Sequence, residues 1–80
     1  MTPAPLIVRV GRALYGDRWQ SELARALDVA GRTVRRWAAG EYEVPAGVWG
    51  EILALVRSQR RALGDVERLI AQQVAERAAA

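Results

Sequence analysis

Residues Gln20–Trp37, QSELARALDVAGRTVRRW, decide how this chain is read. Leu23, Ala24 and Leu27 recur at three- and four-residue spacing, as do Val34, Trp37 and Ala38, and each set makes one apolar helical stripe. Between them lie only Asp28, Val29 and Ala30. The spacing therefore predicts two short helices joined by a tight turn. Ala24 sits where the first of them comes closest to the second, and a larger side chain there would force the pair apart. Leu23, Leu27, Val29, Val34 and Trp37 form the wedge that sets their angle. Gly40 is placed to close the second helix in a left-handed conformation.

With Val34, Trp37 and Ala38 turned inward, helical geometry turns Gly31, Arg32, Arg35 and Arg36 outward and leaves Thr33 on one flank. Three arginines then share one exposed surface, and their mutual repulsion is a small cost that an anionic partner removes. The competing reading is a solvated face that only keeps the helix soluble. What favours DNA is the wedge around the arginines, because it lets a helix project rigidly from the surface.

Leu23, Ala24, Leu27, Val29, Val34 and Trp37, followed by Gly40 and Pro45, resemble the phage-repressor and Cro-type helix-turn-helix family over about residues 6 to 57. The resemblance implies a lambda-repressor-like bundle whose recognition helix lies in the major groove of double-stranded DNA. On this reading Gln20 touches phosphate, although Asp17 to Gln20 also reads as a capping box for its own helix. The chain departs from the pattern in three places. Asp28 stands where the family commonly has Gly, and Ala30 replaces the usual Ser-like cap. The loop after Gly40 carries Glu41 and Glu43 in place of a basic residue, which leaves Tyr42 as its donor to phosphate.

Outward from this stretch the pattern stays helical, with no alternating strand, so the chain reads as all-α with four to five helices. A first helix is expected from near Thr2, with Pro3 in its first turn and Leu6, Ile7, Val10 and Leu14 on one face. Glu41 to Pro45 form a loop, and Val48, Trp49, Ile52, Leu53 and Val56 face inward from a fourth helix. Leu63, Val66, Leu69, Ile70 and Val74 continue the pattern past Gly64 and Asp65, which either divide two helices or lie inside one. Val56, Leu63 and Ile70 recur by sevens, as do Ile52, Gln59, Val66 and Gln73. Residues 1–63 thus read as the DNA-binding domain and residues 64–80 as a helical extension. Leu63, Val66, Leu69, Ile70 and Val74 are its expected dimerisation contacts, the other reading being packing against the chain's own domain.

Composition narrows the function. The 80 residues suffice for one small domain, in which a partner subunit helps to bury surface. There is no Cys and no His, so thiolate or imidazole metal ligands and the commonest general base are missing, and neither an enzyme nor a bound cofactor is expected. Every one of the 12 basic side chains is Arg. Seven of them fall in residues 1–40 against three carboxylates, while residues 41–80 hold five against six. Arginine suits bidentate contacts to phosphate and guanine, and a GC-rich genome gives the same bias. Arg9 and Arg12 interrupt an apolar start too short for a signal core or a membrane span, so a soluble cytoplasmic protein is expected.

The expected function is a homodimeric transcriptional regulator, a repressor similar to small phage or mobile-element regulators. An adaptor or antitoxin-like module that holds a protein partner through the last helix is the alternative.

Overall fold

A computed structural model describes residues 5–79. These residues are all-helical, with three short helices and one long one in the order α1 (Leu6–Tyr15), α2 (Trp19–Leu27), α3 (Gly31–Ala38) and α4 (Ala46–Ala79). A single 3-10 turn, Gly16–Arg18, links α1 to α2. The expected start at Thr2 and Pro3 lies outside the described residues. Within them, α1 opens at Leu6 with Pro5 in front of it, and the Pro5 carbonyl accepts the first helical amides.

Seven side chains make the apolar centre: Ile7, Trp19, Leu23, Ala24, Val34, Trp37 and Ile52. Leu23 and Val34, one from each helix of the deciding stretch, are both 0% exposed. The α2 helix packs on α1, α3 and α4, which makes it the central strut of the bundle. Trp19 joins α2 to α1, since its indole lies so close over Gly11 that a Cβ built there would overlap the ring. Sequence periodicity gives no sign of this contact, because glycine adds nothing to an apolar stripe.

Both helices of the deciding stretch close in the same way. Asp28 takes the left-handed conformation (φ 55°, ψ 48°), and the amides of Asp28 and Val29 donate to the carbonyls of Arg25 and Ala24. Gly40 does so at φ 77°, with its amide and that of Glu41 donating to Trp37 and Arg36. Each is a Schellman closure, which satisfies the last carbonyls of a short helix. For Asp28 the conformation carries a steric cost that Gly40 does not meet.

Three expectations are corrected. The Asp17–Gln20 capping box does not form, because Asp17 lies in the 3-10 turn and α2 begins after Arg18 without a side-chain cap. Leu6 and Leu53, assigned to inward faces, are exposed, while Gly11 and Leu55 take up inward or partly inward positions. A division into two helices at Gly64 and Asp65, which would make five, gives way to three short helices and one of 34 residues, since both residues lie inside α4. One glycine costs a helix about 1 kcal/mol, too little to break one already propagating. Leu63, Val66, Leu69, Ile70 and Val74 are not packed against their own domain, being between 48% and 63% exposed. The α4 backbone runs unbroken through the expected boundary at residues 63 and 64.

Gly11→Ala is expected to destabilise the fold by about 1–3 kcal/mol through overpacking against Trp19. Gly50→Ala, at an α4 position where a Cβ meets nothing within 4 Å, should stabilise it by up to about 1 kcal/mol. Urea denaturation of the two variants checks the pair, and an equal response would remove the special role given to Gly11. Asp28→Gly is expected to raise the same midpoint by relieving the left-handed residue.

Candidate nucleic-acid interface

The outward face of α3 is built by its inward one. Val34 and Trp37 are buried against α2 and the rest of the core, which fixes the rotation of an eight-residue helix about its axis. Arg32, Arg35 and Arg36 are consequently exposed, while Gly31 and Thr33 are half-buried at the edges. The ion pairs among the described residues are Arg25 with Glu22, at 3.6 Å, and Arg68 with Asp65. Neither involves α3. Its three guanidinium groups thus stand together on one surface without a carboxylate ion-paired to them among the described residues.

Local contacts distinguish the three. The guanidinium carbon of Arg36 lies 5.5 Å from the centroid of the Tyr42 ring, a cation–π arrangement across the loop that follows α3. Tyr42 and Arg36, read separately from the sequence, are therefore one unit, and the Gly40 closure brings them together. The side chain of Arg35 reaches back along the helix until its terminal nitrogen would stand 3.3 Å from a Cβ placed on Gly31. Arg32 has neither contact among the described residues. The periodicity shows that these residues share a face, but it carries no information on which arginine is tethered.

The start of α3 lacks a side-chain cap, since Ala30 occupies the N-cap position in an extended conformation (φ −66°, ψ 143°). Its carbonyl accepts the Thr33 amide at 3.0 Å, so the first turn closes through backbone alone. Gly31 is not there to adopt a left-handed conformation, for its backbone is helical and the nearest obstacle to a Cβ is the flexible end of Arg35.

Gln20 lies in the first turn of α2, half-buried, and with Asp17, Arg18 and Ser21 it lines a shallow surface depression. It is not engaged in the expected capping box. Glu41 and Glu43 flank exposed Tyr42 in the loop, so that edge of the surface is acidic apart from the tyrosine hydroxyl. Among the described residues no cluster of three or more acidic side chains could hold a metal ion, and no helix is long and apolar enough to cross a membrane.

Ala30→Ser is expected to stabilise the protein by about 1 kcal/mol by supplying the missing cap, read as an increase in the thermal midpoint. No change would mean that the first turn of α3 is already satisfied. Compared with protein-family models, with curated proteins and with solved structures, the chain matches none.

Proposed function

We propose that this chain is a sequence-specific DNA-binding regulator of the lambda-repressor-like helix-turn-helix type, acting as a homodimeric repressor. The observation that carries the reading is the α3 surface: three exposed arginines, opposed by no carboxylate among the described residues, on a helix held by buried Val34 and Trp37. A helix so held can enter a groove about 12 Å wide without rearranging. Arg32 is the base reader, since it is untethered among the described residues. Arg36, steadied by Tyr42, is the second reader, and Arg35 neutralises phosphate with Gln20 and the Tyr42 hydroxyl. Gly31 brings the α3 backbone up to the sugar-phosphate chain, with Thr33 beside it.

A homodimer formed through Leu63, Val66, Leu69, Ile70 and Val74 reads an inverted repeat with half-sites about 34 Å apart, or a multiple of that. The same exposed apolar residues support a second reading, an adaptor or antitoxin-like module that captures a different protein through α4. Truncation after Leu63 separates the two, since it weakens cooperative DNA binding in the first case and abolishes partner capture in the second.

Selection of bound sites from random duplex DNA, repeated at two salt concentrations, is expected to enrich one inverted repeat. The salt slope, about 0.9 per phosphate contacted, counts the neutralised phosphates. Arg32→Ala and Arg36→Ala should each cost about 1–3 kcal/mol and relax preference at one base pair, whereas Arg35→Ala should weaken all sequences alike. Uniform losses for all three arginines would remove the base-readout assignment. Gly31→Ala should leave the fold at least as stable while reducing DNA affinity, and unchanged affinity would show that the α3 backbone keeps its distance.

A further inference from the structure

The long helix presents two uncovered apolar surfaces that differ in shape. Near the core, α1 and α4 leave an open groove of about 510 Å³ between them, lined by Leu6, Val10 and Leu14 on one side and Val56, Gln59 and Leu63 on the other. Gln59 ties the two walls together by donating from Nε2 to the Leu14 carbonyl at 3.2 Å. Farther out, Val66, Leu69, Ile70 and Val74 form a convex stripe on the part of α4 that extends beyond the core. The groove and the stripe follow one another along the same helix.

We infer that the occupant of each groove is the distal α4 stripe of a second copy, the two α4 helices running antiparallel about a two-fold axis near Leu63 and Val66. This rests on the homodimer in the function proposed above and gives it a geometry. A two-fold contact must be self-complementary, and a groove followed by a ridge on one helix meets that demand when the second helix is reversed. The two seven-residue series then interlock. Leu63 lies level with the second copy's Val66, Gln59 with its Ile70, and Val56 with its Gln73.

Charge favours the same direction. Arg57, Arg60 and Arg61 against Glu51 make the half of α4 nearer the core net positive, and Asp65, Glu67 and Glu76 against Arg68 and Arg77 leave the outer half net negative. Antiparallel pairing brings Arg60 of one copy beside Glu67 of the other, and symmetry repeats the contact. Parallel pairing would set the arginine-rich segments side by side and leave both grooves empty. The area also suffices. Leu6, Leu63, Val66, Leu69, Ile70 and Val74 are each about half exposed or more and together offer on the order of 500 Å² per copy. A reciprocal contact that covers all of it buries on the order of 1,000 Å² of apolar surface, which meets the lower threshold for a specific interface.

The absence of cysteine from the natural chain makes the pairing directly measurable. Full-length Gln59→Cys and Ile70→Cys copies, both at exposed positions, are mixed and oxidised without DNA, and an interchain disulfide between the two kinds of copy is expected. Gln73→Cys alone should stay unlinked, because the antiparallel register holds its two copies about 25 Å apart. Sedimentation of the unmodified protein without DNA should give a dimer. As a second measurement, Arg60→Glu or Glu67→Arg should each weaken the dimer several-fold at low salt, with the two combined in one chain restoring it. Self-linking of Gln73→Cys would overturn the direction. A dimer whose mixed pair fails to link would overturn the register, and a monomer at high micromolar concentration would overturn the pairing. Because no DNA is present, none of these outcomes depends on whether α3 reads a sequence.

Discussion

The contact between the Trp19 indole and Gly11 is the constraint on which the rest of the molecule depends. It brings the α1 backbone to within an aromatic ring's thickness of α2, and only a residue without a side chain permits that approach. The consequence spreads because the buried core is so small. Ile7 reaches Leu23, Val34, Trp37 and Ile52 in one cluster only if α1 lies at this distance. A domain of this size has little stability to lose, so one overfilled contact is a large share of the whole. The rotation of α3, and with it the direction of its arginines, follows from the packing that this contact allows.

The parts of the fold legible in the sequence are those in which local spacing and tertiary packing ask for the same thing. Leu23, Ala24, Val34 and Trp37 repeat at helical intervals and are all buried, and Asp28 and Gly40 stand where short helices must turn. The three arginines were legible only as the complement of that inward face. What the spacing does not reveal is a contact made by an absent side chain, as at Gly11. It also overstates the width of an apolar face, since Leu6 and Leu53 continue their stripes and still point outward. Asp17 shows a different failure. Its capping signal is local, and the 3-10 turn that joins α1 to α2 claims the residue first. The Arg36–Tyr42 pair could have been anticipated from a basic and an aromatic residue on either side of a left-handed glycine, but the sequence does not supply the distance.

The α3 helix is secured by its middle. Its start has no side-chain cap and begins with glycine, and its neighbours at both ends are turns around left-handed residues. Its stability as a helix comes from Val34 and Trp37, which face away from the surface where the proposed chemistry takes place. This separation lets the outward residues be chosen for a partner rather than for folding. Three like charges within two turns are tolerable because the inward face outweighs their repulsion, which is worth only a few tenths of a kcal/mol per pair. The same economy explains why the acidic Glu41 and Glu43 can border the surface without forming ion pairs to α3 among the described residues.

The long α4 helix joins the two proposed activities in one rigid body. Its first part contributes buried Ile52 and partly buried Val48, Trp49, Leu55 and Val56 to the core, so the costly nucleating turns are secured there. Beyond Gln59, which still bonds α1 at the Leu14 carbonyl, the chain is sustained by helix propagation, across Gly64 and with large apolar side chains exposed to water. Such a segment lowers its free energy most by covering those side chains, and a second copy can do so without any new fold. Because helix backbone runs without a break from the core to the outer stripe, the position of one α4 against another also fixes the separation of the two α3 surfaces. Dimer register and half-site spacing are then a single geometric quantity, set by which residue of α4 lies on the two-fold axis.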